Sequence, residues 1–278
     1  MSGRLVWAAT STFRIGDLHL GVRSGHQGLH EWLRRALAAH LVPDVEAPDN
    51  FTLLVGQRGD GEASRPARGR AVGGGFHFLY RSSASMVRTR DPHRLARALL
   101  HHLDGFRPDA GAGLLQLSVS VLVGEAGAVL APASLRGWLE VVERRLNARG
   151  LIVADLPWVA VDADRGEVVV PEPDLRVDWS AFDDLEEVVA TPRRTEAVVQ
   201  PGRYPIVGWG LQTEADGAGT LRPALAVARA APSVINVAEL GGQGVLDQVA
   251  GLVRRVRPAG VHWEKPAQMV GPLAALAS

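Results

Sequence analysis

The segments between Leu117 and Asp155 follow each other in an order that few folds allow. An apolar run, typical of a buried strand, is followed by a glycine-rich turn and by the stretch Ala128–Glu140. A helical pattern then ends at Ala148–Gly150, and a short apolar segment leads directly to Asp155. Strand, loop, helix, strand and acid in this order predict an α/β domain.

The same order is that of a nucleotide-binding P-loop domain. Residues 114–261 resemble the HPr kinase/phosphatase family and its relatives in ribosomal-peptide modification gene clusters. In those proteins the helix after the P-loop ends in a small-Arg-Gly turn, and a later hairpin carries an Asp and a Gly. The corresponding residues here are Ala148–Gly150 in the turn and Asp162 and Gly166 in the hairpin, and Pro201–Pro205 is also similar. The resemblance implies a P-loop, HPr-kinase-like C-terminal domain.

The residues that would bind nucleotide in such a domain are replaced. Counted back from Gly150 without gaps, Leu139 takes the position of the phosphate-binding lysine, and Glu140 takes that of the Mg²⁺-binding hydroxyl. Leu139 offers the phosphates no charge, and the carboxylate of Glu140 repels them at a helix N-terminus that would otherwise attract anions. Trp138 fills the space of the last loop glycine. The resemblance thus implies a degenerate P-loop without catalytic, metal-binding or cofactor-binding residues, made up of Ala133, Ser134, Trp138, Leu139, Glu140 and Asp155.

An ordinary strand-to-helix connection in an unrelated α/β domain is a second interpretation of the same stretch. In that case Trp138 is a core residue, Glu140 is a first-turn acid that the helix dipole favours, and Asp155 simply ends a strand. The sequence leaves both interpretations open.

The first 110 residues predict a smaller domain of mixed α+β type. It contains an amphipathic helix at Leu29–Leu37 and a hairpin at Phe76–Thr89. A stretch with proline and glycine then separates this N-terminal domain, residues 1–110, from the second domain, residues 111–278. The whole chain is therefore predicted to be α/β, with an α+β N-terminal half.

Two groups of residues are candidates for binding a partner. Four arginines occupy a Gly/Arg-rich segment, which predicts either a solvated loop or a basic grip on an acidic peptide: Arg58, Arg65, Arg68 and Arg70. Trp158 follows the strand that leads to Asp155, near the crevice where open α/β sheets bind ligands. Trp179 stands in a polar setting, and exposed tryptophans favour peptide recognition. An extended peptide would add as a strand at an edge of the second domain's sheet or in the groove between the two domains.

The composition limits the partners further. Thirty basic and thirty acidic residues cancel, which argues against a nucleic-acid or membrane-surface binder. The chain has no cysteine, and no apolar run is long enough to span a membrane. His26 and His30 lie one helical turn apart, next to Glu31, but Gly25 and Gly28 weaken the helix there, so we expect no metal. We expect a cytoplasmic protein without membrane or nucleic-acid partners.

The resemblance and the replaced residues lead to one hypothesis about function. The protein would be a non-catalytic, kinase-like protein that binds a peptide or protein partner, as an accessory in bacterial peptide natural-product biosynthesis. The alternative is an atypical ATP-dependent serine kinase or phosphatase that uses Asp155 and the arginine-rich segment in place of the lysine. A structural or assembly subunit, including a homo-oligomer, is a third hypothesis.

Overall fold

The chain forms two compact units, each with its own apolar core. The computed structural model describes residues 9–43, 45, 47–56, 76–82, 84–107, 111, 113–189, 197–214 and 219–277. One unit is Met1–Pro108 with Pro173–Glu196, and the other is Asp109–Glu172 with Ala197–Ser278. Each contains a mixed β-sheet with helices, which confirms the α/β class predicted from the sequence. None of the described helices has the length and apolar character that a membrane crossing requires.

Groups of one to three described strands alternate with helices along the chain. The strands are β1 (Ala9–Ile15), β2 (Leu18–Ser24), β3 (Asp49–Leu54), β4 (His77–Arg81), β5 (Ala84–Thr89), β6 (Leu115–Leu117), β7 (Val119–Gly124), β8 (Gly127–Pro132), β9 (Ile152–Ala154), β10 (Val159–Asp162), β11 (Glu167–Val170), β12 (Gly202–Gln212), β13 (Gly219–Thr220) and β14 (Ala259–Val261). The helices are α1 (Gln27–Ala36), α2 (Pro92–Asp104), α3 (Arg136–Asn147), α4 (Leu185–Val188), α5 (Pro223–Ala230), α6 (Val237–Leu240), α7 (Gly242–Val256) and α8 (Val270–Leu276).

The sheet of the first unit has the order β1-β2-β3-β4-β5. Its neighbouring strands are antiparallel except β2 and β3, which are parallel and are therefore connected by a crossover that contains α1. Successive side chains of a strand point to opposite faces, and those of one face pack with α1 and α2. In β1 the residues on this face are Ser11, Phe13 and Ile15, all buried. One hydroxyl thus lies among apolar side chains.

A later segment, Pro173–Glu196, returns to the first unit. Trp32 of α1 packs edge-on against Phe182, with 4.9 Å between the ring centroids, and its indole N–H donates to the carbonyl of Ala181. The predicted second domain, residues 111–278, therefore loses this segment to the first unit. Pro171, Pro173 and Pro192 interrupt the sequence near both ends of this segment, but prolines do not specify with which unit the segment packs.

The sheet of the second unit has the order β6-β10-β11-β12-β8-β7-β9, with β14 beside β12. β8 and β14 both run parallel to β12, and β8 and β9 run parallel to each other on either side of β7. The apolar run typical of a buried strand, Leu117–Val123, is divided between two strands. Ser118 alone separates β6 from β7, yet the two pair with different neighbours. The sheet therefore curls back on itself.

Helices cover both faces of β7 and β8. Val121 and Leu130 belong to the cluster that includes α5 and α7, whereas Leu122 and Val129 belong to the cluster that includes α3 and α8. A strand buried on both faces needs apolar side chains at every position. This arrangement explains the unbroken apolar runs on which the α/β prediction depends.

The β6 edge of this sheet is covered by the chain itself. The N–H of Ser118 donates to the carbonyl of Ser233 at 2.7 Å. The side chain of Asn236 accepts from the N–H of Gln116 at 3.0 Å and donates to the carbonyl of Leu114 at 2.8 Å. Since these backbone groups are already paired, this edge is closed to the strand addition expected for the second domain's sheet.

Candidate functional site

The stretch predicted to be a degenerate P-loop is a tight connection between β8 and α3. Its irregular part is one turn of 3-10 helix, the three residues Ala133–Leu135. A P-loop has about four residues between its two glycines, so that backbone N–H groups can surround a phosphate. The hydroxyl of Ser134 donates instead to the side-chain oxygen of Gln212, at the end of β12, at 3.2 Å. The connection therefore has no backbone cradle large enough for a phosphate.

Leu139 is a core residue. Its side chain is fully buried in a cluster with Leu135, Val142 and Leu146. Trp138 is half-buried against the same cluster. A lysine at position 139 would therefore point into the core of the unit and not toward a ligand.

Charged residues meet at the end of the sheet where β8 and β9 finish. Both strands pair antiparallel with β7, so Asp155, after β9, lies at the same end as Arg136, after β8. Arg136 donates from Nη2 to the carbonyl of Leu156 at 3.2 Å. Burial lowers the pKa of the Arg136 guanidinium, and the negative charges of Asp155 and Glu140 act to raise it. A cation of the protein itself thus accompanies the two acids.

Arg136 was missed in the sequence-based prediction, although the sequence contains a signal for it. Arg136 and Glu140 are four positions apart, which is the spacing at which opposite charges meet on a helix. The approach of Asp155 carries no such local signal because it depends on which strands are neighbours in the sheet.

Ion pairs hold the hairpin on which the resemblance partly depends. Arg203 of β12 donates from Nη1 to Asp162 at 2.9 Å and to Glu167 at 3.2 Å. Burial raises the pKa of Asp162, but the hydrogen bond from Arg203 and other positive neighbours outweigh burial, and the pKa is lowered. Gly166 has a φ of +69°, and a Cβ there would lie 2.5 Å from the side chain of Arg255. The Asp and the Gly of the hairpin therefore have structural roles.

The candidate partner-binding residues are distributed over the chain. The four arginines lie outside the described residues: Arg58, Arg65, Arg68 and Arg70. Trp158, in the second unit, is half-buried, and a Cβ on Gly111 would approach its ring to 2.9 Å. Trp179, in the first unit, is 45% exposed and packs against Phe182, with 5.0 Å between the ring centroids. Of the two tryptophans, Trp179 presents more ring surface to a partner.

The histidines of α1 have partners within the protein. The Nδ1 of His26 accepts from the N–H of Leu29 at 3.2 Å, so His26 is the N-cap of the helix. The Nε2 of His30 lies 3.2 Å from the hydroxyl of Ser11, and both side chains are buried. In the part of the chain that the structure describes, no three His, Asp or Glu side chains come together as a metal site requires.

Acidification is expected to destabilise the first unit through His30. Burial lowers the pKa of His30, Arg34 lowers it further, and Glu31 opposes them. Because the folded pKa lies below the unfolded value of 6.5, the unfolded chain takes up the proton first. The free energy of unfolding should therefore fall as the pH drops below about 6.5.

Urea unfolding at several pH values measures this effect. We expect His30→Gln to flatten the fall between about pH 7 and about pH 5. His19→Gln, which changes an exposed side chain of β2, is the matched control and should keep the wild-type slope. If the free energy of unfolding of His30→Gln fell with pH as steeply as that of the wild type, His30 would not be the cause of the acid sensitivity.

A cavity that the sequence-based prediction missed lies beside β1 in the first unit, with Ser11 and Arg34 in its walls. The signal available in the sequence is weak. Ser11 alternates with Phe13 and Ile15 on the core face of the strand, and a hydroxyl in such a row indicates a buried polar neighbour.

Comparison with known proteins yields no relative. No protein-family model matches this chain, and neither does any of the curated proteins or solved structures with which it was compared. The function must therefore be inferred from the residues of the chain itself.

Proposed function

We propose that this protein is a non-catalytic, kinase-like binding protein that takes a peptide or protein as its partner. One observation carries the proposal: the residue at the position of the phosphate-binding lysine, Leu139, is fully buried in the core under α3. The segment order resembles that of a P-loop domain of the HPr kinase type, while the position that would contact phosphate packs the interior.

Electrostatics at the same end of the sheet support this proposal. Asp155 and Glu140 bring two negative charges, and the single guanidinium of Arg136 is half-buried beside them. A nucleoside triphosphate would have to approach two carboxylates, and position 139 offers no lysine to offset the charge repulsion. The charges therefore disfavour an anionic ligand at this place.

The role of the partner follows from the resemblance. The members of the resembled family that occur in ribosomal-peptide modification gene clusters suggest an accessory in bacterial peptide natural-product biosynthesis, with the peptide or one of its modifying enzymes as the partner. The exposed ring of Trp179 is one surface that suits such recognition.

ATP with Mg²⁺ is expected to leave the melting temperature of the protein unchanged. A ligand present at 100 times its Kd would stabilise the folded state by about 2.7 kcal/mol, which a thermal melt detects easily. The measurement compares the protein with and without nucleotide at about 10 mM, a concentration that would reveal a Kd as weak as about 0.1 mM. An upward shift with ATP and Mg²⁺, absent with Mg²⁺ alone, would contradict the proposal.

The alternative function, an atypical serine kinase or phosphatase, is favoured by the position of Asp155. It follows β9 at the end of the sheet where α/β domains bind their ligands. Incubation with ATP, Mg²⁺ and a serine-containing protein tests it directly. Phosphotransfer that is lost in a folded Asp155→Asn variant would establish this alternative in place of the non-catalytic function.

A further inference from the structure

A cavity of about 760 Å³ lies along the outer edge of β1 in the first unit. Ligand-binding cavities typically enclose about 300–1,000 Å³. Thr10, Ser11 and Thr12 of β1 form one wall, and Arg34 of α1 contributes a charge. The described residues of the segment after α1 give the other wall apolar side chains, among them Val42, Pro43 and Val45.

The backbone of Thr10 faces outward from this edge strand. Among the described strands, β1 pairs only with β2. The carbonyl of Thr12 accepts from the N–H of Val42 at 2.9 Å, so the even-numbered residues of β1 turn their backbone groups away from β2. No described residue hydrogen-bonds to the outward N–H and C=O of Thr10. An added peptide strand pairs with groups of this kind.

Arg34 supplies the positive charge of the cavity. Its side chain is exposed, and none of the described acidic residues forms an ion pair with it. The neighbouring Arg35, by contrast, pairs with Asp184 at 2.8 Å. Two acidic residues of the segment after α1, Asp44 and Glu46, lie outside the described residues. A guanidinium that is not already paired can bind a carboxylate through two parallel hydrogen bonds.

Ser11 is held in position at the cavity wall. Its hydroxyl lies 3.2 Å from Nε2 of His30, and only 7% of Ser11 and 3% of His30 are exposed. The Nδ1 of His30 is buried without a hydrogen-bond partner among the described residues, so Ser11 is the polar contact that fixes the ring. Burial lowers the pKa of His30, and Arg34 is the cation among the described residues that line the cavity.

We propose that this cavity binds the C-terminal carboxylate of an extended peptide. Arg34 holds the carboxylate, the last side chain of the peptide packs against the apolar wall, and the backbone before it pairs with Thr10. A peptide terminus is the occupant that uses all three features. The inference rests on the proposed function, because it specifies which part of a peptide partner is recognised.

The probe is an N-acetylated pentapeptide of four alanines and a C-terminal valine, compared with the same peptide as its C-terminal amide. Calorimetry and NMR on the full-length protein measure binding. The acid form should bind and shift the backbone N–H signals of Thr10 and Ser11. The peptide with a C-terminal amide should bind at least about tenfold more weakly, because it lacks the charge that pairs with Arg34. Arg34→Gln should reduce binding of the acid form by a similar factor. Arg35→Gln, on the same helix but outside the cavity walls, is the matched control and should keep the wild-type affinity.

Thr10→Pro tests the strand pairing separately. It removes an N–H that faces away from β2, so the ladder between β1 and β2 should stay intact, as circular dichroism can check. We expect this variant to weaken binding of the pentapeptide but not binding of N-acetylvaline, which is too short to add a strand. Wild-type affinities that are equal for these two ligands would overturn the peptide assignment in favour of a small carboxylate.

Three other outcomes separate this inference from the proposed function. Equal binding of acid and amide, or no binding of either, overturns the carboxylate site. A peptide or protein partner that binds equally well to Arg34→Gln overturns the site but leaves the proposed function standing. Nucleotide binding by the second unit contradicts the proposed function and leaves the pentapeptide measurements unaffected.

Discussion

Replacing Leu139 with lysine is expected to lower the free energy of unfolding of the second unit by about 4 kcal/mol or more. The resemblance places a phosphate-binding lysine at this position, but the side chain of Leu139 is fully buried beside Leu135, Val142 and Leu146. An ammonium group there would lose its water without gaining a counter-ion, which costs far more than the apolar contacts that it replaces. Urea unfolding measures the loss, and ATP should still fail to bind.

Two variants of the same helix serve as controls. Leu139→Met keeps the volume and polarity of the site and should cost less than about 1.5 kcal/mol. Val141→Lys adds the same charge to a side chain that is 64% exposed and should change stability by less than about 0.5 kcal/mol. A Leu139→Lys variant that is as stable as Val141→Lys, or that gains affinity for ATP, would mean that position 139 reaches solvent and that α3 begins as in a working P-loop.

Replacing Trp32 with alanine is expected to cost the first unit about 3–5 kcal/mol. The ring is 1% exposed, it packs edge-on against Phe182, and its N–H donates to the carbonyl of Ala181. Alanine would leave a cavity and an unpaired buried carbonyl in the segment that returns from the second unit. We therefore expect faster amide exchange at residues 179–188 as well as a lower midpoint in urea.

Trp179→Ala is the matched control. Its ring also contacts Phe182, at 5.0 Å between the ring centroids, but it is 45% exposed, so the loss should stay near about 1 kcal/mol. If the two alanine variants lost the same stability, or if residues 179–188 exchanged normally without Trp32, the indole would not be what holds this segment in place.

Local features of the fold could be predicted from the sequence. The hairpin expected around Asp162 and Gly166 is formed by β10 and β11, because a short turn and two apolar strands specify it without distant contacts. The division of one apolar run at Ser118 could not be predicted, because it depends on which partners each half finds in the sheet.

In the candidate site, too, local features could be predicted from the sequence and contacts between distant residues could not. The spacing from Gly150 placed a leucine at position 139, and helical periodicity alone predicts that it faces the core with Val142 and Leu146. The meeting of Arg136 with Asp155 could not be predicted, because it requires β7 to lie between β8 and β9. The cavity beside β1 depends on the path of the chain after α1, which no periodic pattern specifies.

The return of Pro173–Glu196 to the first unit has a consequence for synthesis on the ribosome. The strands and helices before residue 108 emerge first, but their core lacks Phe182 and Leu185 until most of the second unit's strands have also been made. Those strands wait in turn for β12, which joins β11 to β8 and emerges later still. We therefore do not expect this protein to fold domain by domain from the N-terminus, which is the usual order for a nascent chain. A chain cut at residue 110 would carry the first unit's sheet without the segment that closes its core.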